Sequence, residues 1–348
     1  MNSQNFITLG DVLIIFSSFL SALIIIATKR RSRRHRVEVL GRGESDEMWL
    51  EKAIAISKSK IEGLSIKEVR GSKRSLPEWV LRNVSGVTPT PDCVEIRCGG
   101  WGCVYKCGSY AVKVPYFVDR LITTGSSGEI TMPRRIIELV EREAELIKSL
   151  DHHNVLKLLG YSTNPPMLVY EYAEYGSLAD LTPVSEPLLV KIGIQVAEGL
   201  RYLHSMGMCH EDVKPSNILI VGGLVKLGDF STLVRSFSSS YVDVPICTRG
   251  YCAPEQIYSD LASDERRRGH ECKVDIYQLA NTLLSALGLP PIDGSECTSR
   301  RVESVLSALE NYRLRELLRR MLSKEPWLRP SATEVLKQLT LIYEHYER

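Results

Sequence analysis

The stretch CHEDVKPSN, residues 209–217, sets an Asp, a Lys and an Asn at spacings that suit phosphoryl transfer, with Glu211 between His210 and Asp212. Moving a phosphoryl group asks little covalent chemistry of a protein. It asks that phosphates be held still, that metal neutralise them, and that an attacking hydroxyl be aimed. The first need has a candidate in IRCGGWGCVYK, residues 96–106, where Gly99, Gly100 and Gly102 let backbone N–H groups come close to phosphate oxygens. Taken alone, such a hairpin is more often just a turn. Lys113 in YAVKVP has apolar neighbours on both sides, which points it from a strand into a cleft, and Glu143 in EREAELIKSLDHHNV sits on the first long helix, where it can meet that lysine.

The elements that must position these groups follow from periodicity. CVEIRC and CVYKC, separated by GGWG, read as a hairpin; YAVKVP is the next strand and MLVYEYA a later one. Ile136, Ile137, Val140, Ala144 and Ile147 share one face of a helix over about 133–150. From Leu188 the pattern is mainly helical, with Leu189, Ile192, Val196, Leu200 and Leu203 three or four apart. Strands early and helices late describe an α+β chain with two lobes.

With these elements in place the sequence strongly resembles the eukaryotic-type protein kinase family, from about Cys93 to residue 342. The resemblance implies the bilobal kinase fold over 93–345, an N-lobe of antiparallel strands with one helix (93–173) and a larger, mainly helical C-lobe (174–345). It casts Asp212 as the catalytic base, Lys214 as the group steadying the γ-phosphate, and Lys113 with Glu143 as the pair that holds the nucleotide's phosphates. Asn217 and Asp229, the latter in VKLGDFS, become the metal ligands, which implies ATP with Mg²⁺, or Mn²⁺ in its place. The nucleotide would lie among Ile96, Arg97, Cys98, Gly99, Gly100, Trp101, Gly102, Cys103, Val104, Ala111, Lys113 and Leu219. Tyr170 takes the gatekeeper position, and the backbone of Glu171 and Ala173 meets the adenine edge. CTRGYCAPEQ resembles the end of an activation segment, with Thr248 facing substrate and Glu255 paired to Arg329, while Asp275 is similar to the aspartate of the central C-lobe helix. Lysine two places after Asp212 resembles the serine/threonine branch, implying protein acceptors with Ser or Thr hydroxyls and allowing a homodimer for autophosphorylation.

Three positions depart from the family pattern. Arg97 replaces the first glycine of the phosphate loop. Ser231 replaces the glycine after Asp229 and Phe230, which limits positive φ there. Glu211 replaces the arginine that in the family binds a phosphate on the activation loop, and a carboxylate repels phosphate. The chain is therefore expected not to be switched on by phosphorylation of SFSSSY, residues 236–241, with Arg235 or Arg249 as candidate partners for Glu211. The same three departures motivate a rival reading, a catalytically weak pseudokinase scaffold. A small-molecule kinase of related fold is a third, though it would not need residues 229–255.

Composition adds an expectation about location. The net charge is +2, but residues 29–36, KRRSRRHR, hold six of the 44 Lys and Arg, and without them the 42 Asp and Glu are in excess. No basic face for nucleic acid is indicated. Just before this run, VLIIFSSFLSALIIIAT carries no charge, and its apolar side chains favour insertion by roughly 3 to 7 kcal/mol. This reads as a transmembrane helix over 11–28, with residues 1–10 outside, 29–92 a juxtamembrane region and residues 11–36 in contact with lipid. The kinase domain would then be cytoplasmic at a cell membrane. SDEMWLEKAIAISKSKIEG reads as an amphipathic helix and GVTPTPD as a linker. The nine cysteines, odd in number and mostly scattered, fit reduced thiols, although Cys98 and Cys103 would face each other across the short hairpin.

Overall fold

The structure, a computed structural model, describes residues 75–90, 93–99, 102–123, 132–235, 247–258 and 272–346. The N-lobe is built on a five-stranded antiparallel sheet. Its strands are β1 (Cys93–Cys98), β2 (Gly102–Cys107), β3 (Tyr110–Pro115), β4 (Leu158–Thr163) and β5 (Pro166–Glu171), in the order β1-β2-β3-β5-β4. Helix α1 (Tyr116–Thr123) follows β3 directly, and α2 (Arg134–Ile147) turns Val140, Ala144 and Ile147 inward. Strand β5 is apolar and buried on both faces. Met167 and Val169 join an outer cluster with β1 to β3, while Leu168 and Tyr170 join α2 and the C-lobe core. That two-residue alternation makes β5 the seam between the two cores.

The C-lobe continues with α3 (Leu178–Leu181) and α4 (Glu186–Ser205), then the short strands β6 (Met208–Cys209), β7 (Ile218–Val221), β8 (Leu224–Leu227) and β9 (Val234–Arg235). Helices α5 (Pro254–Ile257), α6 (Lys273–Ala286), α7 (Ser299–Leu306), α8 (Tyr312–Met321) and α9 (Ala332–Tyr346) complete it. Between Asp275 and Leu284 every residue of α6 is buried, so its polar side chains have no solvent and must bond within the lobe. The loop between β6 and β7, which carries Asp212, lies against them.

The folded body begins before Cys93. Ser75 bridges Val94, the Leu76 N–H donates to the Cys93 carbonyl at 3.3 Å, and Leu76, Val80, Leu81, Val84 and Val87 are buried with the outer N-lobe cluster. Part of the stretch expected to be a linker therefore covers one face of the sheet.

Two expectations need correction. Membrane localisation is overturned by the finding that, among the described residues, no helix is long and apolar enough to cross a bilayer. The segment at 11–28 on which it rested, the lipid-facing basic run, and the amphipathic helix at 45–63 lie outside the described residues. The cysteines are not reduced thiols: Cys93–Cys107, Cys98–Cys103, Cys209–Cys272 and Cys247–Cys252 are disulfides, and Cys297 alone is free. Hairpin register sets the first two opposite each other, and tertiary packing brings together the third, 63 residues apart in sequence. The facing of Cys98 and Cys103 was expected from the hairpin, whereas nothing in the sequence joins Cys209 to Cys272.

Candidate active site

Two charge clusters face the cleft. On the nucleotide side, Lys113 from β3 lies 3.0 Å from Glu143 of α2 and 2.9 Å from Asp229. Burial disfavours the Lys113 charge, but the two carboxylates outweigh it and hold its pKa above the ordinary lysine value. Asp229 shows the converse: burial pushes its pKa up, while Lys113, the Ser231 hydroxyl and Lys214 pull it well below the usual carboxylate range. Both groups are therefore charged at neutral pH. Tyr170 donates its hydroxyl to Glu143 at 2.8 Å, and burial with that neighbouring carboxylate keeps it protonated.

The acceptor side is compact in sequence. Asp212 Oδ2 lies 2.5 Å from the Lys214 ammonium, and the Asn217 amide donates to the Asp212 carbonyl at 2.9 Å and to Oδ2 at 3.2 Å. Thr248 donates its hydroxyl to Asp212 Oδ1 at 2.7 Å and accepts from Lys214 at 2.7 Å. Beneath this loop, Asp275 receives the N–H groups of His210 and Glu211 at 2.9 and 2.7 Å and bonds the His204 ring at 2.8 Å. Burial pushes the Asp275 pKa up; the bond and charge of His204 more than offset this and leave it lowered. Glu211 holds φ at 63°, and its carbonyl accepts from Gln278 at 2.7 Å and from Gln256 at 3.3 Å. A left-handed non-glycine residue persists only when its surroundings impose it, and this network does so.

The remaining nucleotide-side residues are distributed as follows. Ile96, Arg97, Cys98 and Gly99 are exposed at the end of β1, while Gly100 and Trp101 lie outside the described residues. Cys103 is buried, so of the hairpin residues it is a support and not a ligand contact. A Cβ on Gly102 would stand 2.2 Å from the Val114 carbonyl, which only glycine avoids. Val104 is opposite Lys113 and Ala111 opposite Tyr170 in the sheet register. Ala111 and Leu219 are partly buried against the same core, one from each lobe. Glu171 gives its N–H to the Lys157 carbonyl, and the Ala173 carbonyl accepts from Gly176.

The absence of glycine after Phe230 has a local explanation. The positive φ sits on Asp229, at 58°, and Ser231 donates its hydroxyl to Asp229 Oδ1 at 3.0 Å. Farther off, Arg329, 2 % exposed, pairs with Glu255 through two contacts of 2.5 and 2.8 Å. His204, Gln256 and Gln278 were not singled out from sequence; the bonds by which they support the loop, His204 to Asp275 and both glutamines to the Glu211 carbonyl, join residues 45 to 71 apart. The hydroxyls of 236–241 lie outside the described residues.

This arrangement gathers two clusters of paired charges, one around Lys113 and one around Asp212. Residues 94–340 match the protein kinase domain family, and the chain belongs to that family. It is 32 % identical over 287 residues to Serine/threonine-protein kinase 1 of Arabidopsis thaliana, covering 76 % of this chain and 32 % of the relative. Over 266 residues it is 30 % identical to Serine/threonine-protein kinase cds1 of Schizosaccharomyces pombe, covering 70 % and 53 %. Mitogen-activated protein kinase kinase kinase 3 of Arabidopsis thaliana is 27 % identical over 267 residues, covering 70 % and 39 %. The chain thus spans about a third to a half of the length of these relatives.

Proposed function

We propose that this chain is a working protein kinase that transfers the γ-phosphoryl group of ATP to serine or threonine hydroxyls of proteins. One observation carries the reading: Lys113 touches Glu143 and Asp229 together, while Asp212 and Lys214 already hold a threonine hydroxyl, that of Thr248. Both halves of the reaction have their groups in place at once.

Lys113, fixed by Glu143, binds phosphate oxygens by charge. Asp212 accepts the hydrogen bond of the acceptor hydroxyl and takes its proton as the new O–P bond forms and the bond to the leaving diphosphate breaks. Lys214 balances the charge of Asp212 and of the transferred group. Asp229 and Asn217 fit a magnesium ion: both offer hard oxygens, Asp229 spends only Oδ1 on Lys113 and Ser231, and Asn217 points its NH₂ at Asp212, so that its amide oxygen, which accepts one long bond of 3.4 Å from the Ser216 hydroxyl, is the atom it would offer the metal. The ion would neutralise the phosphates between them.

Glu211 supports an activation mode independent of loop phosphorylation, since its carboxylate cannot pair with a phosphate. Alanine at Ser236, Ser238, Ser239, Ser240 and Tyr241 together is expected to leave activity intact. Loss of activity there, with recovery by acidic replacements, would sink this mode. The central test is transfer of label from radiolabelled ATP to protein acceptors with Mg²⁺ or Mn²⁺, beside Asp212→Asn. Label with the parent and none with the variant is expected; equal label, or none with either, overturns the reading in favour of a kinase-shaped scaffold.

A further inference from the structure

The six residues CTRGYC form a covalent ring, closed by the Cys247–Cys252 disulfide. Thr248 lies inside it, and its hydroxyl is the one that meets Asp212 and Lys214. The C-terminal half of the ring is fastened to the lobe without the disulfide. Gly250, at φ 91°, donates its N–H to Asp293 at 2.7 Å, Tyr251 donates its hydroxyl to Ser285 at 2.9 Å, and the Cys252 carbonyl accepts from Gly294 at 2.8 Å. The chain enters the ring at Cys247. There, among the described residues, the fastenings are the disulfide and the Thr248 hydroxyl, with the Tyr251 N–H to the Thr248 carbonyl at 2.9 Å completing the turn.

We propose that Cys247 and Cys252 are positioning residues for the acceptor side: their disulfide ties the entry of the loop to its anchored exit and so keeps Thr248 seated on Asp212 and Lys214. The inference rests on the kinase reading given above. A reagent reaches this pair more readily than the one behind the catalytic loop, while Cys98 of the hairpin pair is exposed as well. Cys247 is half-buried and Cys252 6 % exposed, whereas Cys209 and Cys272, behind the catalytic loop, are 3 % and 7 % exposed. A dithiol acts by thiol–disulfide exchange: its thiolate attacks Cys247 Sγ, the S–S bond breaks, and Cys252 leaves as a thiolate that takes up a proton. The second thiol of the reagent then displaces Cys247, so two electrons pass to the protein pair and the reagent becomes a cyclic disulfide. Opening the ring releases the entry of the loop and misplaces Thr248, and a misplacement of about 1 Å costs on the order of 100-fold in rate. Lys113, Glu143 and Asp229 come from other elements and keep their geometry.

The test is a graded dithiothreitol titration of the full chain, with alkylation and mass spectrometry to identify which pair has opened, beside a Cys247→Ser/Cys252→Ser variant. Expected is a fall in kcat of about 10- to 100-fold that follows opening of 247–252, with KM for ATP within about two-fold. The double variant should show the same loss and no further response to dithiothreitol, whereas Cys297→Ser behaves as the parent. A double variant with parental kcat, or label on both Cys247 and Cys252 before any reduction, overturns the proposal. Should the double variant not fold, the parent decides alone: loss of kcat that follows another pair counts against the idea. Hydrogen exchange supplies a readout independent of turnover. Opening the ring should raise exchange in 247–252 and 210–217, and unchanged exchange overturns the staple. A parent that transfers no phosphate yet shows this response sinks the kinase reading and leaves the staple standing.

Discussion

The two clusters that face the cleft are built in opposite ways. Lys113, Glu143 and Asp229 come from β3, α2 and the segment after β8, with 30 residues between the first pair and 116 between Lys113 and Asp229. Asp212, Lys214 and Asn217 lie within one loop, where Thr248 meets the first two side chains and the Gly228 N–H donates to the Asn217 carbonyl. The nucleotide side therefore exists only while the lobes and α2 stay in register, so any shift of α2 breaks it. The acceptor side rests on Asp275, Gln278 and Gln256, all buried, and loses its geometry only if the C-lobe core yields.

Substitutions can break this comparison. Asp212→Asn should lower kcat by about 10²- to 10⁴-fold with ATP affinity kept, because the proton acceptor is lost and the phosphate side is not. Lys113→Met should lower kcat/KM by about 10²- to 10³-fold and weaken nucleotide binding as well, read by titration of a fluorescent ATP analogue. If both variants weaken nucleotide equally, the two sides are not separate. Arg329→Met should destabilise the C-lobe by about 3 to 5 kcal/mol, because Glu255 is left without its buried partner; thermal unfolding measures it. Tyr170→Phe removes one hydroxyl from Glu143 and should cost about 1 kcal/mol or less in nucleotide affinity, the smallest effect of the set.

Acid sharpens the same contrast. Asp229 and Asp275 both have pKa values lowered in the folded state. Their contribution is whole above the unfolded carboxylate pKa of about 4 and is lost as pH falls through the lower folded values. The unfolding temperature should therefore stay level from about pH 7 to about pH 5 with respect to these groups and drop below about pH 4. Asp275→Asn should lower it throughout and flatten the acid limb.

Much of this was readable in the chain. The hairpin, the Lys113 strand and the α2 helix follow from two-fold and 3.6-fold apolar periods, and Asp212, Lys214 and Asn217 declare themselves because one loop holds them. Glu255 and Arg329 are recognisable only through the resemblance, since nothing local joins residues 74 apart. The stretch Ser75–Val87 falls in the juxtamembrane region and the start of the GVTPTPD linker expected from sequence. The structure packs five of them on the sheet.

The sequence by itself determined which side chains are present and, through periodicity, which short segments become strands and helices; these depend on neighbours within a turn or a hairpin. Only tertiary structure decided that Lys113 bridges two carboxylates, that Asp275 carries the catalytic loop, and that Cys209 pairs with Cys272. Those outcomes depend on the burial of distant segments against one another, and in the buried interior each N–H, carboxylate and sulfur takes the partner that packing delivers.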